Sequence, residues 1–267
     1  MDPSRDEEFR HFLLELGGLA GDVVLPYFRQ PLAVDDKGGQ RFDPVTIADR
    51  RAEQALREAI LARYPAHGVL GEEFGETPGS SEFRWVIDPI DGTRAFVCGA
   101  PTWGTLIALC EHERPVLGLM SQPFVGESFV GGGAASWQVR AGAHTRLRTR
   151  DTPDLAAAYL FATAPEMFAP DIEGPAFQRL ASRVRLARFG LDCYAYCLLA
   201  AGHVDLVVEA GLGYYDIAPL MPIVEAAGGV VSDWEGRPVR GGGRVIAAAN
   251  RRLHAQALAV LGSAGGD

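Results

Sequence analysis

The chain is poor in the residues that build zinc sites, disulfide frameworks and membrane spans. It has four cysteines and six histidines in 267 residues. Cys98, Cys110, Cys193 and Cys197 form no C-x-x-C pair, and no histidine completes a zinc pattern beside them. Cys193 and Cys197 stand four apart in a helix-like run and read as buried free thiols. No run approaches the ~18 apolar residues needed to cross a bilayer. The first ten residues are charged and polar, unlike a signal peptide. A reducing cytoplasm is the expected compartment. Positive charge is also scarce: 25 basic residues face 34 acidic ones, a net charge of -9. This argues against a general nucleic-acid-binding surface. An acidic chain can still bind phosphates where bound metal reverses the local sign.

Apolar residues are plentiful, at 48%. They suffice for one large domain or two intimately packed halves. Helical spacing over residues 9–28 places Phe9, Phe12, Leu13, Leu16, Leu19 and Val23 inward. Residues 31–42 are polar, contain a Gly-Gly pair and read as an exposed loop. A second helix is expected over 45–64, stopped by Pro65. Short buried strands are expected at 69–70 and 85–87. Longer ones are expected at 102–109 and 116–120, with the turn His112-Glu113-Arg114 between them. Residues 127–130 and 137–141 extend that sheet. The polar stretch 147–155 marks a boundary between an α+β half, residues 1–150, and an α/β half, residues 151–267. In the second half strands at 159–163, 184–187, 204–208, 230–232 and 245–248 alternate with helices at 174–183, 193–201, 217–227 and 251–261.

The most telling stretch is residues 85–96, W-V-I-D-P-I-D-G-T-R-A-F. Asp88 and Asp91 leave a strand end three residues apart, stiffened by Pro89. Hard oxygen ligands at this spacing suit Mg²⁺ better than zinc or iron. Gly92-Thr93 can open a helix whose N–H groups face an anion. Three further segments carry carboxylates. Residues 43–49, D-P-V-T-I-A-D, place Thr46 and Asp49 on one helical face, for capping or for activating water. Glu72-Glu73 follows a buried strand, either to join Asp88 or as solvated loop. Asp216 stands where an N-cap belongs, or serves as another metal ligand.

Together these segments resemble the inositol monophosphatase superfamily of Mg²⁺-dependent, lithium-sensitive phosphomonoesterases, over residues 9–261. The resemblance implies an α/β fold, a layered α-β-α-β-α sandwich. It implies a homodimer acting on a small phosphate monoester, without nucleic acid or membrane. Two or three Mg²⁺ ions are implied, held by Glu72, Asp88, the Ile90 carbonyl, Asp91 and Asp216. Thr93 and Asp49 would orient and activate the attacking water, with Glu72 helping through a third ion. The amides of Gly92 and Thr93 would hold phosphate. Glu209 and the loop from Gly190 to Asp192 would contact the substrate. Arg94 reads either as a contact to phosphate or substrate or as a surface arginine beside an acidic cluster.

Arg94-Ala95-Phe96, the run from Cys98 to Gly104, and the run from Asp192 to Cys197 resemble the histidinol-phosphate phosphatase branch. Histidinol carries an ammonium group, for which Asp192 and Glu209 could form an acidic wall. Alternatively, Asp192 merely caps the following helix. Leu191 departs from the glycine of that branch. Lys37, in the loop over 31–42, reads as a solvated lysine, with an approach to the site as the alternative, and Trp103 reads as core. The other readings are an inositol-1-phosphate or broad sugar-phosphate phosphatase, and a regulatory binding protein on the same fold.

Overall fold

A computed structural model describes residues 3–36, 38 and 44–262. Five layers alternate in it. Helices α1 (Pro3–Val24) and α2 (Ile47–Arg63) form the first. An eight-stranded sheet forms the second. From one edge it runs β10 (Ala143–Arg146), β9 (Ala135–Arg140), β8 (Glu127–Gly132), β7 (Arg114–Gln122) and β6 (Gly104–Glu111). It ends with β5 (Phe83–Asp91), β3 (Gly68–Gly71) and β4 (Gly75–Thr77). Alternation along β5 explains the layering: Trp85 and Ile87 pack on Phe9, Leu13 and Leu56, while Val86 packs on the opposite face.

That opposite face meets the middle helices α5 (Tyr194–Ala200) and α7 (Leu220–Ala226). Beyond them lies a five-stranded sheet: β12 (Leu186–Phe189), β11 (Tyr159–Ala162), β13 (Leu206–Leu212), β15 (Gly243–Ala248) and β14 (Val230–Ser232). Strands β12, β11 and β13 are parallel, and β15 is antiparallel to both its neighbours. Helices α4 (Glu173–Ala181) and α8 (Arg251–Leu261) cover its outer face through Phe177, Leu253 and Ala257. The expected layered sandwich is what forms.

The boundaries differ from expectation where local chemistry intervenes. The second helix starts at Ile47, not at residue 45. Residues Pro44–Thr46 form strand β2, paired with β1 (Val34–Asp36), and Thr46 caps the helix. The helix expected over 217–227 is two, α6 (Tyr214–Ile217) and α7, because Pro219 cannot continue the first ladder. The first helix gives way after Val24 to a single 3₁₀ turn containing Pro26. Glu111 to Arg114 close β6 on β7 with His112 and Glu113 both at positive φ, as a two-residue hairpin demands.

Candidate active site

The ladder between β5 and β6 pairs Asp88 with Leu106 and Asp91 with Gly104. Three residues on β5 therefore oppose two on β6, a one-residue bulge at Pro89, which has no N–H to donate. Without it Asp88 and Asp91 would point to opposite faces. With it both point into the middle layer, where α6 brings Asp216. Carboxylate oxygens of these three aspartates lie within 4.8 Å of one another.

Each of these carboxylates also accepts a main-chain N–H. Asp88 takes that of Ile90 at 3.0 Å, Asp91 that of Cys193 at 2.7 Å and Asp216 that of Gly213 at 2.7 Å. Asp216 is thus not the N-cap residue. It sits at the third position of α6 and reaches back to Gly213, which fixes its carboxylate towards the cluster. Among the described residues no cation pairs with Asp88 or Asp91. Burial drives the Asp88 carboxyl well above the usual carboxylate range, and repulsion from Glu72, Asp91 and Asp216 adds to it. Asp91 rises for the same reasons, burial first, then Asp216 and Asp192. Such a cluster is an oxygen donor set for a hard divalent cation, which would replace the missing counter-charge.

Glu72 joins Asp88 through the sheet. Its N–H donates to the Ile87 carbonyl at 3.2 Å, and its carboxyl lies within hydrogen-bonding reach of Asp88. A residue that sequence reasoning missed holds this turn. Glu53 of α2 is fully buried and accepts the N–H groups of Glu73 at 2.7 Å and Phe74 at 3.2 Å. Arg57 binds Glu53 at 2.7 Å and reaches Thr77 and the Gly75 carbonyl. Gly71 is required here, because a Cβ would lie 2.0 Å from a Glu53 oxygen. Glu53 and Arg57 sit four apart on the inward face of α2, and that misplaced pair was the available signal. We expect Glu53→Gln to cost about 3 kcal/mol of stability, since it leaves Arg57 buried without its counter-charge. Chemical denaturation reads this directly; an unshifted midpoint would show that the pair does not anchor the turn.

Asp49 is buried and accepts both the N–H and the hydroxyl of Thr46, at 2.9 and 2.6 Å. Capping and a place beside the cluster are therefore not alternatives: burial raises its carboxyl against the bonds from Thr46, and Glu72 adds repulsion. Thr93 donates its hydroxyl to the Ile90 carbonyl at 3.0 Å. Asp49 and Thr93 are not hydrogen-bonded to each other. Gly92 precedes helix α3 (Thr93–Cys98) at φ +79°. A Cβ there would come within 3.1 Å of Asp192 and 3.2 Å of the Trp103 backbone, so only glycine fits. Asp43 and Lys37 lie outside the described residues.

The other wall comes from the carboxyl ends of β11, β12 and β13. Glu209 on β13 accepts the Thr163 N–H at 2.8 Å and hydroxyl at 3.0 Å with one oxygen. Its other oxygen, and the Tyr196 hydroxyl, are buried without a partner. Gly190 bridges back to the Ala162 and Thr163 carbonyls. Asp192 does not cap the next helix: α5 starts at Tyr194 with no side-chain cap. Asp192 instead takes φ +47° and turns towards the Thr102 hydroxyl. Burial lifts its carboxyl to about 6, opposed by Thr102 and by the charge of Arg94. Glu209 is pushed well up by burial, and Asp192 and Asp91 contribute. Cys193 and Cys197 are buried free thiols, whereas Cys98 is exposed. Trp103 is core. His67 accepts the Trp85 indole N–H in the first core.

A model of the inositol monophosphatase family matches residues 5–265. The chain belongs to the inositol monophosphatase family. It is a phosphatase, a hydrolase of phosphate monoesters, and the family is metal-dependent. Bifunctional phosphatase IMPL2 of Arabidopsis thaliana, a chloroplastic protein, is 39% identical over 257 residues, covering 92% of this chain and 72% of the relative. The histidinol-phosphatase of Chlorobaculum parvum is 36% identical over 258 residues, covering 94% and 95%. An inositol monophosphatase from Zymomonas mobilis, solved as a structure, superposes with a TM-score of 0.85 at 40% identity, covering 98% of this chain and 99% of that one. Among the described residues no helix is long and apolar enough to cross a membrane.

Proposed function

We propose that this family member is a Mg²⁺-dependent histidinol-phosphate phosphatase. The carrying observation is an acidic wall beside the carboxylate cluster, close enough for Asp91 to act on Glu209. Glu209 offers a buried carboxylate oxygen with no partner, and Asp192 lies near enough to raise it. A substrate ammonium would partner the free oxygen and favour the ionised wall, whereas a neutral polyol would supply no counter-charge. Similarity to a histidinol-phosphatase supports the same reading. Inositol-1-phosphate is the second reading, favoured by the likeness to the Zymomonas enzyme. A cytoplasmic homodimer belongs to this proposal on family membership alone.

In this mechanism Glu72, Asp88, the Ile90 carbonyl, Asp91 and Asp216 would hold two or three Mg²⁺ ions. When bound, the ions neutralise the phosphate dianion, acidify water and steady the leaving oxygen. The amides of Gly92 and Thr93 hold the phosphate. The Thr93 hydroxyl orients the water, and Asp49 accepts its proton. The water oxygen bonds to phosphorus as the ester P–O bond breaks in line, with no enzyme-bound phosphoryl intermediate. Arg94 balances the wall beside Asp192. Gly190 leaves the loop short of side chain where the substrate enters.

The wall has its own test. Glu209→Gln is expected to lower kcat/KM for histidinol phosphate by about tenfold or more, the size of a charge-assisted hydrogen bond. For 4-nitrophenyl phosphate, which has no ammonium, the loss is expected to stay within about threefold. Equal losses on both substrates would remove Glu209 from substrate recognition.

A further inference from the structure

A cleft of about 850 Å³ is lined by residues other than those of the carboxylate cluster. It lies among the β6–β7 turn, α7, the loop over residues 233–240 and the first turn of α8. None of Glu72, Asp88, Asp91, Asp192 and Asp216 lines it. Its volume falls in the range of small-molecule sites.

The charge of the cleft is out of keeping with the molecule. Arg114, Arg237, Arg240 and Arg251 line it, against Glu113 and Glu225, in a chain of net charge -9. Arg237 is engaged by Asp233 at 2.7 Å and Glu235 at 2.9 Å. Among the described residues Arg114, Arg240 and Arg251 form no ion pair. The floor is apolar, built by Met221, Val231 and Val239. Burial raises the Glu225 carboxyl, and Arg114 lies close enough for its charge to oppose that rise, which leaves Arg240 and Arg251 without an acidic partner among the described residues. Guanidinium groups above an apolar floor match a molecule with a charged head and a hydrophobic body.

Both lips are held in place by the protein itself. The Tyr214 hydroxyl donates to the Glu113 carbonyl at 2.9 Å and fixes the β6–β7 turn. One Asp233 oxygen accepts the N–H groups of Glu235 at 2.9 Å and Arg237 at 2.8 Å, which closes the facing loop. Ser232 and the His254 ring are hydrogen-bonded at 2.7 Å beside it. A ligand entering such a cleft has little protein left to order. We propose that this cleft is a second ligand site, which takes a small organic anion: a carboxylate or phosphate group on an apolar body. The site is independent of the substrate assignment.

The test is calorimetric titration of the metal-free protein with two probes, 4-phenylbutyrate and phenylphosphonate. Without metal the acidic cluster repels both, so the active site does not compete. Saturable one-to-one binding, with a Kd on the order of 1 mM or tighter, is expected for at least one probe, and the tighter one identifies the head group. In Arg114→Gln/Arg240→Gln the affinity is expected to fall at least about tenfold, with an unchanged melting curve because both side chains are exposed. Arg251→Gln alone is expected to weaken the same probe. Failure of both probes to saturate, or equal affinity in wild type and the double variant, would overturn the proposal. So would loss of binding in Asp216→Asn with no loss in the arginine variants.

Discussion

Replacing Asp88 by asparagine is expected to lower kcat by about a thousandfold, the effect of losing roughly 4 kcal/mol of transition-state stabilisation. Asp88 is buried at the β5 bulge, between Glu72 on one side and Asp91 and Asp216 on the other. In the proposed site it would be shared between two cations. Asparagine keeps the shape and can still accept the Ile90 N–H, so the fold should survive. Indeed the metal-free variant is expected to melt no lower than wild type at pH 8, because one charge of a repelling group is gone. Activity lost with stability kept separates a catalytic role from a structural one. Retention of more than about a tenth of the wild-type turnover would contradict the metal-site assignment.

The second large effect is thermal. Adding Mg²⁺ at about 100 times its Kd is expected to raise Tm by about 5–10 °C, from roughly 2.7 kcal/mol of binding linkage in a chain of this size. The shift should grow with pH. In the metal-free fold the carboxyls of Asp88, Asp91 and Glu209 are raised by burial, and that of Asp192 stands at about 6. Groups raised on folding favour the folded state while protonated. Their contribution is complete below the ordinary carboxylate range and is lost as pH rises through about 6 and beyond. The metal-free protein should therefore lose stability over that window. Mg²⁺ needs the ionised forms and should restore it. Melting curves at pH 5.5 and pH 8, with and without the ion, check the sign. A shift no larger at pH 8 than at pH 5.5 would count against a carboxylate site.

Much of this was legible in residue order. Hydrophobic alternation and helical periodicity placed α8 at residues 251–261 and β14 at residues 230–232, as found. The Asp-Pro-Ile-Asp-Gly-Thr run announced the cluster because Pro89 and Gly92 punctuate it. What residue order did not carry was geometry made by distant partners. Only pairing with β6 shows that the bulge turns Asp88 and Asp91 to the same face. Val45 has helical company in sequence, but its strand partner Asp35 lies ten residues earlier across the loop. Asp216 and Asp192 each sit near a helix start, and composition cannot tell a cap from a third-position acceptor or from a left-handed turn residue. Glu53 is not legible in residue order, because a charged residue on an apolar stripe reads as an error in the stripe until the donors it accepts from, Arg57 and the Glu73 and Phe74 N–H groups, are in view.

The acidic wall is proposed to select a cationic substrate for a Mg²⁺-dependent hydrolysis. Phosphate release from histidinol phosphate and from myo-inositol 1-phosphate, side by side with Mg²⁺, tests it most directly. The expected result is a kcat/KM for histidinol phosphate at least about a hundredfold higher, corresponding to some 3 kcal/mol of differential transition-state binding. Equal rates, or a preference for the inositol ester, would contradict it and return Asp192 and Glu209 to a structural role.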